Sequence, residues 1–333
     1  MPNKIVTILG KNSMEAPFTY NSLALDNQFL SRKKELNQLI NILKERKNAL
    51  IYEPYRTGKR SLINMALKGL AKENIPYRLC HIDMLNITQS KELFSILEKH
   101  PTQQDDVYTI YWIEEFQNIL RFEDYDKTLL QLEKHWENDC QNSYILSGSM
   151  VNAMKYIFED KKYFYHFADV VKFTPIEEKA ATDMIIKTFL KVGRVVEHKH
   201  AERMYETVDG HPWYLWQISN TAFHLTKGYI NDKLIDESID SLLIVYDVKF
   251  RETINSLSNY QISLLRAIFD GETKLSSVEC IEKYHLNSSA NVKRLKEALT
   301  KKEVVAFNEQ DIPYIIDPLF RLWLKRFFFK ETI

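Results

Sequence analysis

The sequence predicts an α/β fold built on a parallel sheet, followed by a helical block and a C-terminal winged-helix-like module. Three observations predict it. Short apolar runs alternate with helical stretches through the first half. The strand signal vanishes from Glu177 onward. The last segment carries three short helical patterns and then a hairpin pattern.

Residues 1–28 read as an irregular leader, with Pro17, Asn21 and Asn27 interrupting any period. A helix signal starts at Ser31, a capping residue, with Leu36, Leu39, Ile40 and Leu43 at helical spacing. The apolar run 49–52 predicts a strand. The turn at 53–59 leads into a second helical pattern through Leu62, Met65, Ala66 and Leu70. Further strand signals fall at 77–83, 107–113, 144–147 and 170–174, which makes 29–176 the α/β domain. Residues 177–256 read as consecutive helices. Residues 257–333 open on a capping-box pattern, Ser258 to Gln261, and hold a hairpin around 308–313.

A formal net charge of +0 over 333 residues removes any general electrostatic argument for nucleic acid or an anionic membrane. The cysteines Cys80, Cys140 and Cys280 are isolated, which argues against a disulfide framework or structural zinc and for a cytoplasmic location. The apolar run at 5–9 is too short for a signal-peptide core or a membrane span.

The chemistry concentrates at three turns. Pro54, Tyr55, Arg56, Thr57, Gly58, Lys59, Arg60 and Ser61 occupy the strand-to-helix turn where backbone N–H groups, a helix N-terminus and a lysine cradle phosphate. The strand at 107–113 delivers Glu114 and Glu115 at its carboxyl end, where one acid holds Mg²⁺ and the next orients an attacking water. Taken alone, such a pair is also a solvated turn. Ser147-Gly148-Ser149 ends the next strand, as a plain turn or as a γ-phosphate sensor. Ligands of open α/β sheets bind beyond the carboxyl ends of strands, so the three turns converge. Of only 8 glycines, Gly58 and Gly148 fall in these turns and Gly210 in the later turn Gly210-His211-Pro212, as expected if glycine is kept where backbone geometry demands it.

Phe29-Leu30-Ser31-Arg32, the turn YRTGKRSL, WIEEFQ, LSGS and Gly210-His211-Pro212 occur in the order seen in the archaeal-type ATPase family, on the STAND/AAA+ side of the P-loop NTPases. The resemblance covers about 18–330 and includes the ending IDPLFRLW at 316–323. It implies a nucleotide-binding α/β domain, a helical lid and a winged helix, with ATP or ADP as ligand. It also implies that His211 and Pro212 lie near base and ribose.

This sequence departs from the family at Glu53, where the family has Gly, at Arg60, where it has Thr or Ser, and at Glu114, where it has Asp. Ser31 replaces the Gly of its Phe-x-Gly-Arg motif. Arg60 removes a Mg²⁺ ligand and puts a cation near the metal's place, and Ser61 is turned about 100° away round the helix. The expectation is therefore an ATP-binding switch with weak or absent hydrolysis. Glu114 and Glu115 are the catalytic candidates, and Glu114 is a compromised Mg²⁺ ligand. Two alternatives stand beside it. One is a pseudo-ATPase scaffold whose loop is filled by a Glu53–Arg60 ion pair; the other is an active Mg²⁺-dependent ATPase. Lys293, Arg294, Lys296, Lys301 and Lys302 on a recognition helix at about 288–302 allow DNA contact, but 258–333 has a net charge of only +2, so an unidentified protein is the expected partner.

Overall fold

A computed structural model of the chain describes residues 17–98, 107–137, 139 and 141–329. The 5–9 run, most of the leader and Cys140 lie outside these residues. Five parallel strands, β1 (Ala49–Tyr52), β2 (Tyr77–Asp83), β3 (Tyr108–Glu114), β4 (Ser143–Gly148) and β5 (Asp169–Val170), form one sheet in the order β2-β3-β4-β1-β5. Helices α1 (Lys33–Lys44), α2 (Lys59–Lys72), α3 (Ser90–Glu98), α4 (Tyr125–Glu137) and α5 (Val151–Lys155) accompany it. Strand β3 is buried along its whole length. Ile110 and Trp112 point into the core with α1 and α2, whereas Tyr111 and Ile113 point into the core with α4. Burial on both faces explains why this strand reads as a nearly unbroken apolar run.

The strand signal at 170–174 yields only two residues of β5. The amide N–H groups of Phe173 and Thr174 donate instead to the carboxylates of Glu53 (2.7 Å) and Glu35 (3.0 Å), so side chains take the place of ladder bonds there.

The helical block comprises α6 (Glu178–Lys191), α7 (His198–Thr207), α8 (Pro212–Leu225) and α9 (Asp232–Asn255). The last module contains α10 (Asn259–Phe269), α11 (Val278–Lys283), α12 (Ser289–Lys301), the antiparallel pair β6 (Val305–Phe307) and β7 (Pro313–Ile315), and α13 (Pro318–Trp323). The capping box forms as the sequence predicts. Ser258 Oγ accepts from Gln261 N, and Gln261 Oε1 accepts from Ser258 N. The helical block and the last module share one continuous core that includes Phe223, Phe250, Phe320 and Trp323.

Two interdomain contacts position the site. The first turn of α5 is clasped by the last module. Glu303 accepts from Asn152 N (3.2 Å) and Ala153 N (2.9 Å), while Asn152 Nδ2 donates to the carbonyls of Thr300 and Val305. On the other side, residues 18–26 run as an irregular strap. Phe18 is buried against Phe189 and Trp216, Tyr20 meets Trp213 edge-on, Ala24 N donates to Ser61 Oγ (3.0 Å), and Asp26 pairs with Lys68.

Candidate functional site

Beyond the carboxyl ends of β1, β3 and β4 lies a cavity of about 410 Å³. Its floor is the turn between β1 and α2, its walls are the ends of β3 and β4, and the strap and the start of α8 close it. Gly58 makes the turn possible. Its φ of +102° lies in the left-handed region, where a side chain is strained. The next residue, Lys59, opens α2 and is 8% exposed. Its ammonium donates back to the carbonyls of Glu53 (2.7 Å) and Pro54 (2.9 Å), and burial lowers its pKa to about 8. Thr57 Oγ1 donates to Pro54 O and so stays within the loop.

The departures at Glu53, Arg60 and Glu114 have different fates. Glu53 does not pair with Arg60, contrary to the ion pair considered from sequence. Its carboxylate accepts from Phe173 N, does not line the cavity, and is held above the ordinary carboxylate range by burial. Arg60 instead donates through Nε to Glu114 Oε1 and lies 3.6 Å through Nη2 from Asp83 Oδ2. Glu114 is 4% exposed, and its other oxygen, Oε2, lies 3.1 Å from His81 Nε2. The backbone reason is the β2–β3 register, which pairs His81 with Trp112 and Asp83 with Glu114. The period of two puts all four side chains on one face. His81 stacks on Trp112 with centroids 4.1 Å apart.

Glu115 has a φ of +53° and turns its carboxylate to Ser149 Oγ (2.5 Å) and Gln117 Nε2 (2.6 Å). Ser147 is buried near the end of β4, and its Oγ accepts from Trp112 Nε1 (3.0 Å). Ser149, two residues on, lines the cavity, whereas Ser147 does not. Ser61 is occupied by the strap. A divalent cation of the kind such sites hold in the resembling family does not fit this donor set. Position 60 has no hydroxyl, Ser61 Oγ already accepts a hydrogen bond, and both oxygens of Glu114 face N–H donors.

On the lid side, Gly210 has a φ of +65°, and a Cβ there would come within 2.4 Å of the Tyr205 ring. His211 Nε2 lies 3.1 Å from Tyr55 O, which tethers the start of α8 to the loop. Burial lowers the His211 pKa to about 4, so the neutral ring donates this bond. Pro212 opens α8 and lines the cavity beside Trp213 and Trp216. Arg56 lies over the Trp213 ring at 3.7 Å and near Tyr55 at 4.9 Å. Ser31 sits at φ +44°, the conformation that the family's glycine would adopt freely, and its Oγ accepts from Glu177 N.

Sequence reading missed His81, Asp83 and the strap. Period-two alternation in β2, read against the neighbouring strand, is the one signal that pointed to His81 and Asp83. Nothing local marked the strap.

Residues 248–326 match a family described as a probable winged helix domain. No curated protein sequence matches the chain. Among solved structures, the Walker-type ATPase of Pyrococcus abyssi is similar, with a TM-score of 0.69 at 16% identity over 93% of this chain and 99% of that one. The ORC2 protein of Aeropyrum pernix, in ADPNP and ADP complexes, gives 0.59 at 14% identity over 93% and 96%. The ORC1 protein of the same organism, in complex with DNA, gives 0.50 at 11% over 92% and 95%. At these identities the likeness is one of fold: an AAA+-like α/β domain, a helical segment and a C-terminal winged helix.

Proposed function

We propose that the chain binds ATP or ADP in this cavity and uses it as a switch, with weak or absent hydrolysis, as a degenerate relative of the archaeal-type ATPases on the STAND side. One observation carries the reading. The Gly58–Lys59 turn, the acids Glu114 and Glu115, Ser149 and the lid residue Pro212 all line one cavity at the carboxyl edge of a parallel sheet. In this assignment 29–176 is the nucleotide domain, 177–256 the lid and 257–333 the output module. Backbone groups of the 54–58 loop and Lys59 meet the phosphates, while His211 and Pro212 place the lid over the base and ribose.

Weak hydrolysis follows from how the acids are used. Glu115 accepts from Ser149 and Gln117 and so is not free to orient a water, and Glu114 is committed to Arg60 and His81. A protein partner is favoured over DNA because the wing carries Glu309 and Asp311, paired with Lys172 and Lys296. The free cysteines Cys80 and Cys280 are both buried, in keeping with a reducing cytoplasm.

A second reading, the nucleotide-free scaffold, has an observation of its own: the Lys59 ammonium is already satisfied inside its loop. Calorimetric titration of wild type and Lys59→Ala with ATP and ADP separates the two. The switch reading expects wild-type binding and its loss in the variant. Absence of wild-type binding at millimolar nucleotide, or an unchanged affinity in Lys59→Ala, leaves the scaffold.

A further inference from the structure

We infer that Arg60, held in place by Glu114 and His81, is a built-in cation that stands where a divalent metal would, so that the ligand class of the cavity is the metal-free nucleoside di- or triphosphate. The inference rests on the nucleotide reading above and adds to it which residue excludes the metal and which residue holds that one in place.

The edge of the sheet presents two carboxylates side by side, because Asp83 and Glu114 are direct neighbours in the β2–β3 register. Like charges directly opposite each other repel, and Glu114 is almost completely buried, so this pair calls for a cation. Arg60 supplies it, reaching Glu114 through Nε and Asp83 through Nη2. The hydrogen bond to Glu114 raises the pKa of the guanidinium, so the charge is permanent. The side chain is nonetheless 54% exposed and lines the cavity next to Lys59. Nη1 is left for a phosphate oxygen, a pairing that suits guanidinium geometry.

His81 makes the arrangement rigid. Its ring is braced on Trp112 and donates to the Glu114 oxygen that Arg60 leaves open. Both carboxylate oxygens are therefore directed at nitrogen donors, and swinging Arg60 aside does not by itself free Glu114 for a metal. His81 acts through Glu114 and is a positioning residue.

The experiment measures ATP affinity by calorimetry with excess Mg²⁺ and with EDTA, in wild type, Arg60→Thr, His81→Ala and the double variant, with thermal melts to confirm folding. Wild type is expected to bind equally in both buffers, within about threefold. Arg60→Thr should gain less than about tenfold from Mg²⁺, because His81 still holds Glu114, and the double variant should gain roughly a hundredfold. Arg60→Thr with His81→Asn, which keeps a donor on Glu114, should behave like Arg60→Thr alone. Arg60→Lys, which keeps a cation without the planar fork, should bind more weakly in both buffers alike.

Wild-type binding that is lost in EDTA keeps the nucleotide reading and overturns the built-in cation. A Mg²⁺ gain in Arg60→Thr as large as in the double variant removes His81 from the device. If the double variant does not fold, the Asn and Lys variants decide: a strong Mg²⁺ requirement in either overturns the proposal. No ATP binding by wild type in either buffer refutes the nucleotide reading itself.

Discussion

Replacing Glu303 by Ala should loosen the last module from the α/β domain by about 2 kcal/mol. The Glu303 carboxylate accepts from two amides in the first turn of α5, at 2.9 Å from Ala153 and 3.2 Å from Asn152, and so caps a helix of another domain. Loss of a side-chain helix cap costs roughly 0.5–2 kcal/mol, and hydrogen bonds to a charged acceptor contribute about 1.5–3 kcal/mol. The site is half-buried, so water recovers part of this, which puts the estimate near the middle. Asn152 Nδ2 still donates to Thr300 and Val305, and Lys155 still donates to Phe307 O, so the contact weakens rather than disappears. Burial already holds the Glu303 carboxyl above the ordinary range, so its charge carries a desolvation cost. Glu303→Gln keeps an acceptor without that cost and should lose only about 1 kcal/mol. Urea unfolding gives the magnitude, and a double-mutant cycle with Asn152→Ala gives the coupling. A loss under about 0.5 kcal/mol, or equal losses for Ala and Gln, would refute the capping argument.

Gly210→Ala should destabilise the lid by roughly 2–3 kcal/mol, because the new Cβ meets the Tyr205 ring at 2.4 Å and the residue sits at φ +65°; thermal unfolding measures it. Nucleotide affinity should be flat below about pH 8 and fall above it, since the buried Lys59, with a pKa of about 8, loses the charge that phosphate requires. The decline approaches roughly tenfold per pH unit, following proton linkage, and titrations across about pH 6.5–9.5 would show it. Any DNA binding should be modest and strongly salt-dependent, because Lys296 is paired with Asp311 and only the rest of the α12 cations are available; a salt-insensitive affinity contradicts this. ATP turnover should stay well below about 1 s⁻¹, measured as phosphate release.

The sheet and the winged helix were legible because burial imposes a period. Strand β3 is covered on both faces and reads as an apolar run, α1 shows its apolar positions at helical spacing, and the Ser258–Gln261 box marks its own helix. The partner of Arg60 was not legible. Glu53 lies seven residues away in the chain and Glu114 fifty-four, and only the placement of β3 beside the turn decides between them. Strand geometry likewise separates Ser147 from Ser149. The first lies within β4, one residue before its end, and is aimed at Trp112; the second follows the strand and reaches the cavity. Ser31 reads as a capping residue in the sequence, yet it adopts the left-handed conformation and its Oγ accepts from Glu177 N, so it does not cap α1.

The stretch from Phe18 to Ala24 is a leash with a fixed length. One end is set in the aromatic pocket of α6 and α8, and the other is tied to α2 through Ser61, with Asp26 and Lys68 just beyond. Six residue steps span at most about 20–22 Å when fully drawn out. If the helical block swings outward, slack is taken up first, and past that reach one knot must give. The Asp26–Lys68 pair is exposed and screened by water and so contributes little, whereas burial of a phenylalanine contributes about 1.5–3 kcal/mol. The α2 end therefore yields first. Wide opening would uncover Ser61 and the mouth of the cavity in one event, with the freed polypeptide travelling on the helices that carry Phe189 and Trp216.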